Sequence, residues 1–234
     1  MSLQVSQIGS RLVFQNAVAA IKRANMNPSG AVMSQSHLRL ETALVAGQTT
    51  YNFDVLVNES ANGNFNTAVK LNLQDAFVMA SIGFYLAVPD SATDTKFRLL
   101  TYPTYDADNF STTTLAKDAL AFYNGTWNLT INQRVVVSNW DLQRHLHIPQ
   151  QQSNAVTAVQ TAAAAFAAPI HLGDDEYQGD AFAQFPVEPN VTLVGSKKHQ
   201  FQVTLPQGIA TIPANSRVVC LMRGILAQNV TAVN

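Results

Sequence analysis

From about Leu38 onward, apolar and polar residues alternate, a period that buries one face of a β-strand and that a helix cannot gather onto one side. In Thr50-Tyr-Asn-Phe-Asp-Val-Leu-Val57, the residues Tyr51, Phe53, Val55 and Val57 share one face. Ala76–Val88 is a long apolar run, as expected of a strand buried on both faces, and Gly83 within it marks a bulge or a close backbone approach. Lys96–Tyr102 reads as another strand, closed by Pro103. Ala119–Tyr123 and Thr126–Ile131 flank Asn124-Gly125, a dipeptide suited to a type I′ hairpin turn. Arg134–Ser138, Val191–Val194, Gln200–Leu205 and Arg217–Leu226 follow. About eight strands joined by polar turns, with no repeated β-α-β unit, predict an all-β fold, an antiparallel jelly-roll β-sandwich.

Two segments depart from that period. Residues 11–25 read as a short helix, with Ser10 as N-cap and Phe14, Val18 and Ile21 at helical spacing. Asn27-Pro28-Ser29-Gly30 stops it, and the chain to about Ser36 reads as a mobile or extended linker. Residues 141–189 form the second departure. They hold an Ala-rich stretch, Asn154–Ala168, that can form a helix between Ser153 and Pro169, and an acidic run, Asp174-Asp175-Glu176. An excursion this long in a compact domain usually serves a function or an interface. The expected organisation is a basic N-terminal arm and helix over 1–37, then a jelly-roll body over 38–234 with an insertion at about 141–189.

Charge bears on what such a body does. Asp, Glu, Lys and Arg make up only 12% of the 234 residues, about half the ordinary ~25%. Charge keeps monomers apart, so a surface this neutral suits a protein covered by its neighbours. Residues 1–40 carry Arg11, Lys22, Arg23 and Arg39 and no acid, whereas all 15 acidic residues lie from Glu41 onward. A basic arm on an acidic body is a pattern that touches nucleic acid or anionic lipid. No secretory signal begins at Met1, and no apolar run is long enough to span a bilayer, so the chain is expected to be made in a cytoplasm. The single cysteine, Cys220, sits in the apolar run Val218–Met222 and reads as a buried small hydrophobe.

Chemistry is sparse. His145-x-His147 would place two imidazoles on one side of a strand, within reach of a metal ion. No carboxylate follows in Ile148-Pro-Gln-Gln-Gln152, and a polar cluster of His145 with Arg144 and Trp140 is the simpler reading. Tyr51, Tyr85, Trp127 and Trp140 could form a sugar-stacking platform or, as aromatics on strands more often do, part of the core. Asp106, Asp108, Asp118 and Asp141 show no spacing that singles out an acid/base pair. No nucleophile elbow, phosphate-binding glycine loop or Cys-x-x-Cys pair is present, so neither an enzyme nor a cofactor or metal site is expected.

Five blocks carry a family likeness: Glu41-Thr-Ala-Leu-Val-Ala-Gly-Gln-Thr-Thr-Tyr-Asn-Phe-Asp54, Asp75-Ala-Phe-Val-Met-Ala-Ser-Ile-Gly-Phe-Tyr-Leu86, Tyr123-Asn-Gly-Thr-Trp-Asn-Leu129, Phe185-Pro-Val-Glu-Pro-Asn190 and Ser216-Arg-Val-Val-Cys-Leu-Met-Arg-Gly-Ile-Leu-Ala-Gln-Asn229. Together they resemble jelly-roll capsid proteins of small tailless icosahedral single-stranded DNA phages that infect Bacteroidetes-type bacteria. The resemblance implies a structural virion protein that self-assembles into capsomers and a closed shell, with no catalytic residues. Its partners would be copies of itself, other capsid proteins, and genomic nucleic acid or internal membrane lipid. Arg11, Lys22, Arg23 and Arg39 would then face inward, toward genome phosphates or lipid head groups. Trp140, Arg144 and Phe182 would be the first choice for subunit contacts, since aromatics and Arg dominate such interfaces. The alternative is a β-sandwich binding module, either a phage spike or fibre domain or a carbohydrate-binding domain.

Overall fold

The computed structural model describes residues 2–63, 65–89, 97–100, 121–146 and 184–232. It opens with helix α1 (Ser2–Arg23) and the two-residue strand β1 (Met26–Asn27). Then follow β2 (Val32–Ala43), β3 (Thr50–Phe53), β4 (Ala76–Pro89), β5 (Phe97–Leu100), β6 (Thr126–Ile131), β7 (Arg134–Asp141), β8 (Phe185–Val194), β9 (His199–Thr204), β10 (Arg217–Gln228) and β11 (Thr231–Ala232). Two main antiparallel sheets result, beside the two-stranded pair β1–β11. One is ordered β2-β10-β4, with β8 and β5 sharing the far edge of β4; the other is ordered β3-β9-β6-β7.

Setting β5 and the short β1–β11 pair aside, eight strands divide four to a sheet, and numbered in chain order the sheets read first-eighth-third-sixth and second-seventh-fourth-fifth. That order is a jelly roll, two Greek keys wrapped into a sandwich. Apolar residues from both inner faces fill the space between the sheets. Leu38, Leu40, Phe77, Phe84, Val218, Cys220 and Met222 face Tyr51, Phe53, Trp127, Leu129, Phe201 and Val203. Phe84 sits amid a ring cluster, its centroid 5.8 Å from Trp127, 6.2 Å from Phe201 and 6.4 Å from Phe53. Burying each such side chain contributes about 1.5–3 kcal/mol.

The long apolar run of β4 changes parity partway along. Arg223 of β10 pairs with Ser81 but Gly224 pairs with Met79, leaving Ala80 as the extra residue of a bulge. Phe77 and Met79 before the bulge, and Ile82, Phe84 and Leu86 after it, all reach the same core. The bulge therefore lies at Ala80 rather than Gly83. Gly83 marks a close approach instead: a methyl there would meet Tyr85 Oη at 2.5 Å and Gln184 Nε2 at 2.6 Å. Gly224 has the bulged strand against it, and a methyl there would overlap the Val78 carbonyl oxygen.

Three other expectations are corrected. The hairpin does not turn at Asn124-Gly125, because Ala121–Asn124 is a 3-10 turn. It turns at Asn132 (φ 46) and Gln133 (φ 68), both left-handed as a type I′ turn requires, between β6 and β7. The linker before Ser36 is already strand, since β2 begins at Val32 and pairs with β10 residue for residue to Gln228. Finally, β3 ends at Phe53; Tyr51, Phe53 and Val55 are buried, but Val57 is exposed.

Helix α1 lies on the outer face of the β2-containing sheet. Ala17, Ala20 and Ile21 are buried against Ala76, Val78, Val194, Ile225 and Ala227, with Phe14 and Met33 at the margin. Asn25, at φ 61, ends the helix in the left-handed conformation, and Lys197 Nζ donates to the Ala24 carbonyl at 2.8 Å. Among the described residues, no helix is long and apolar enough to cross a membrane.

Candidate functional site

The proposed contact residues Trp140 and Arg144 come together at the end of β7. Asp141 caps the 3-10 turn Leu142–His145 by accepting from the Gln143 N–H at 2.9 Å. That turn folds Arg144 back over the Trp140 ring, 4.9 Å from its centroid, and Arg144 remains exposed. The same turn buries His145, whose Nε2 accepts from Trp140 Nε1–H at 2.9 Å and whose ring stacks on Trp140. Phe84 and Phe185 meet the His145 ring edge-on. His145 therefore belongs to a polar–aromatic cluster, and it lies on a turn, not on the strand that the metal-pair reading requires. His147 and Phe182 lie outside the described residues, as do Asp106, Asp108, Asp118 and the Ala-rich stretch 154–168. Among the described residues, no group of three His, Cys, Asp or Glu side chains is placed to hold a metal ion.

The aromatic platform does not form. Tyr51, Tyr85 and Trp127 are fully buried, and only Trp140 is partly exposed. Burial pushes the Tyr85 hydroxyl up to about 12, despite a hydrogen bond from Gln184 Nε2 at 2.8 Å. Cys220 is buried in the core, and burial raises its thiol well above the ordinary range.

The basic residues divide. Arg39 does not join the arm, because its Nε lies 2.6 Å from the buried Glu41 carboxylate two residues along the same strand face. Arg217 Nη1 (3.0 Å) and Thr67 Oγ1 (2.6 Å) complete this cluster, and Arg217 also covers the Phe65 ring. Burial alone would push the Glu41 carboxyl up, but hydrogen bonds from Thr67 and Arg217 and the Arg39 charge outweigh it and hold the group below its ordinary value. The cluster pins the 65–71 segment against β2, where Arg39 and Val69 exchange backbone hydrogen bonds at 2.9 and 2.8 Å. Arg11 lies within α1.

Lys22 and Arg23, both exposed in the last turn of α1, have company that the sequence did not announce. Lys197, bonded to Ala24, and Lys198 follow β8 in the turn before β9. Lys198 and Asn132 exchange backbone and side-chain hydrogen bonds at 2.9–3.0 Å, which brings in the β6–β7 turn and Arg134. One end of the sandwich thus gathers Lys22, Arg23, Lys197, Lys198 and Arg134 from three separate elements. Beneath it lies His199, buried, with Nε2 accepting from the Val194 N–H at 3.3 Å. Burial, with the Lys197 charge added, lowers its pKa to about 4.

In comparisons with known proteins, the chain matches no protein-family model, no curated protein and no solved structure.

Proposed function

We propose that this chain is a structural coat subunit of a virion, which assembles with copies of itself and with other capsid proteins into a closed icosahedral shell and carries no catalytic activity. The observation that carries this reading is the combination of a jelly-roll strand order with a surface of very low charge. The five sequence blocks that resemble phage capsid proteins support it, and each of the five includes part of a sandwich strand.

Within this reading the basic end faces the genome. Lys22, Arg23, Lys197, Lys198 and Arg134 offer point charges for phosphates without a sequence-reading element. A bilayer-lying helix is the weaker alternative, since the apolar face of α1 at Ala17, Ala20 and Ile21 is occupied by the chain's own sheet. Trp140 and Arg144 remain the surface pair offered to a neighbouring subunit. Size-exclusion chromatography with light scattering tests the proposal against a sugar-binding or spike module. A coat subunit elutes as capsomers or larger particles; a small species of fixed mass that binds glycans sinks it.

A further inference from the structure

The two sheet edges formed by β2 and β7 are treated differently. At β7 the pairing with β6 slips twice, and Asn139 (φ 53) sits at one slip. Bulges of this kind stop a foreign strand from adding to an edge. At β2 the pairing with β10 runs from Val32 to Ala43 with no slip. Its outer edge is covered at Arg39, where Val69 takes both backbone bonds. Antiparallel pairing alternates, so if Arg39 turns its N–H and C=O to the outer edge, Met33, Gln35 and His37 do the same. None of these six backbone groups has a hydrogen-bond partner among the described residues. The segment Val32-Met-Ser-Gln-Ser-His-Leu38 holds no Asp, Glu, Lys, Arg or Pro, the devices that normally blunt an edge.

We infer that the β2 edge pairs with the β2 edge of a second copy of this chain about a two-fold axis through Gln35, joining two sandwiches through one continuous sheet. The inference rests on the self-assembly reading above and names one of its interfaces. A second copy is the fitting occupant because the edge is self-complementary. An antiparallel mate centred on Gln35 sets Met33 opposite His37 and Gln35 opposite Gln35 of the second copy. All six outward groups then find partners, and no like charges meet. Such a contact is isologous, as two-fold interfaces are. It ends where the Arg39–Val69 bridge begins.

The full-length chain tests this directly. Residues opposite one another in a hydrogen-bonded antiparallel pair have Cα atoms about 5.5 Å apart, inside the range of about 4.4–6.8 Å that a disulfide spans. Gln35→Cys should therefore form a covalent dimer on mild oxidation, with buried Cys220 giving no background. Ser34→Cys, whose mate across the axis is Ser36, should not. Gln35→Lys and Gln35→Glu should each move the association midpoint about tenfold or more higher in concentration by placing like charges on the axis, and an equimolar mixture of the two should restore it. If the wild-type chain self-associates while Gln35→Cys stays unlinked and both charge variants behave as wild type, the β2 interface is wrong and the coat-subunit reading stands. Equal cross-linking at Ser34→Cys would overturn the register. A wild-type chain that is monomeric at every concentration would overturn both.

Discussion

Acid should loosen this sandwich through His199 well before the carboxylates titrate. The side chain is buried, its Nε2 accepts from the Val194 N–H, and Lys197 stands nearby. Protonation would remove the acceptor and place a second positive charge in a desolvated site. The folded-state pKa of about 4 lies below the unfolded value of 6.5, so the stabilising effect is fully present above pH 6.5 and is lost as pH falls toward 4. Each pKa unit corresponds to about 1.36 kcal/mol, so the whole window is worth about 3 kcal/mol and the step from pH 7 to 4.5 about 2–3 kcal/mol. Glu41 acts in the same direction but only below its ordinary value of 4.5, because its folded pKa is lowered. Urea unfolding of the dissociated subunit, followed by tryptophan fluorescence at pH 7 and pH 4.5, measures the loss. His199→Gln keeps an acceptor for Val194 and removes the titration, so it should lose about 2–3 kcal/mol less than wild type over that step. Equal losses in the two proteins would refute the assignment.

Two further outcomes follow from the helix and the basic end. Ile21→Ala, which empties the centre of the α1–sheet contact, should cost about 2–5 kcal/mol in denaturant unfolding; no change would mean that the helix does not stay docked. Replacing Lys22, Arg23 and Lys198 together by Ala should lower affinity for single-stranded DNA uniformly across sequences and flatten the logarithmic salt dependence by about 2, at roughly 0.7 per lost phosphate contact. Filter binding across a salt series reads both, and an unchanged slope would remove the basic end from the genome-facing role.

Most of the strand pattern was legible because each strand buries one face in a shared core. Tyr51 and Phe53, Val218 and Cys220, and Phe201 and Val203 all announce their parity in the sequence. The errors arose where tertiary contacts override local signals. Asn124-Gly125 looks like a turn, but Gly125 is there because a methyl would lie 2.8 Å from the Thr204 carbonyl oxygen and 2.5 Å from Leu205 Cδ2. The true turn uses Gln133, a residue with no local preference for φ 68. The first half of β2 is polar and lacks alternation, so only its pairing with β10 makes it a strand. Arg39 is tied to Glu41, and Arg39-x-Glu41 on one strand face is itself a sequence signal of an internal ion pair. The basic end was legible only in half, since Lys22 and Arg23 lie far along the chain from Arg134, Lys197 and Lys198. Trp140 and Arg144 do meet within the chain, through a turn that the sequence reading does not include.

Electron microscopy of the concentrated, purified full-length chain tests the central claim most directly. Closed shells or regular capsomer arrays of uniform size are expected, built from sandwiches joined edge to edge. A field of single particles near 25.4 kDa at every concentration tried, with no ordered assembly, would contradict it.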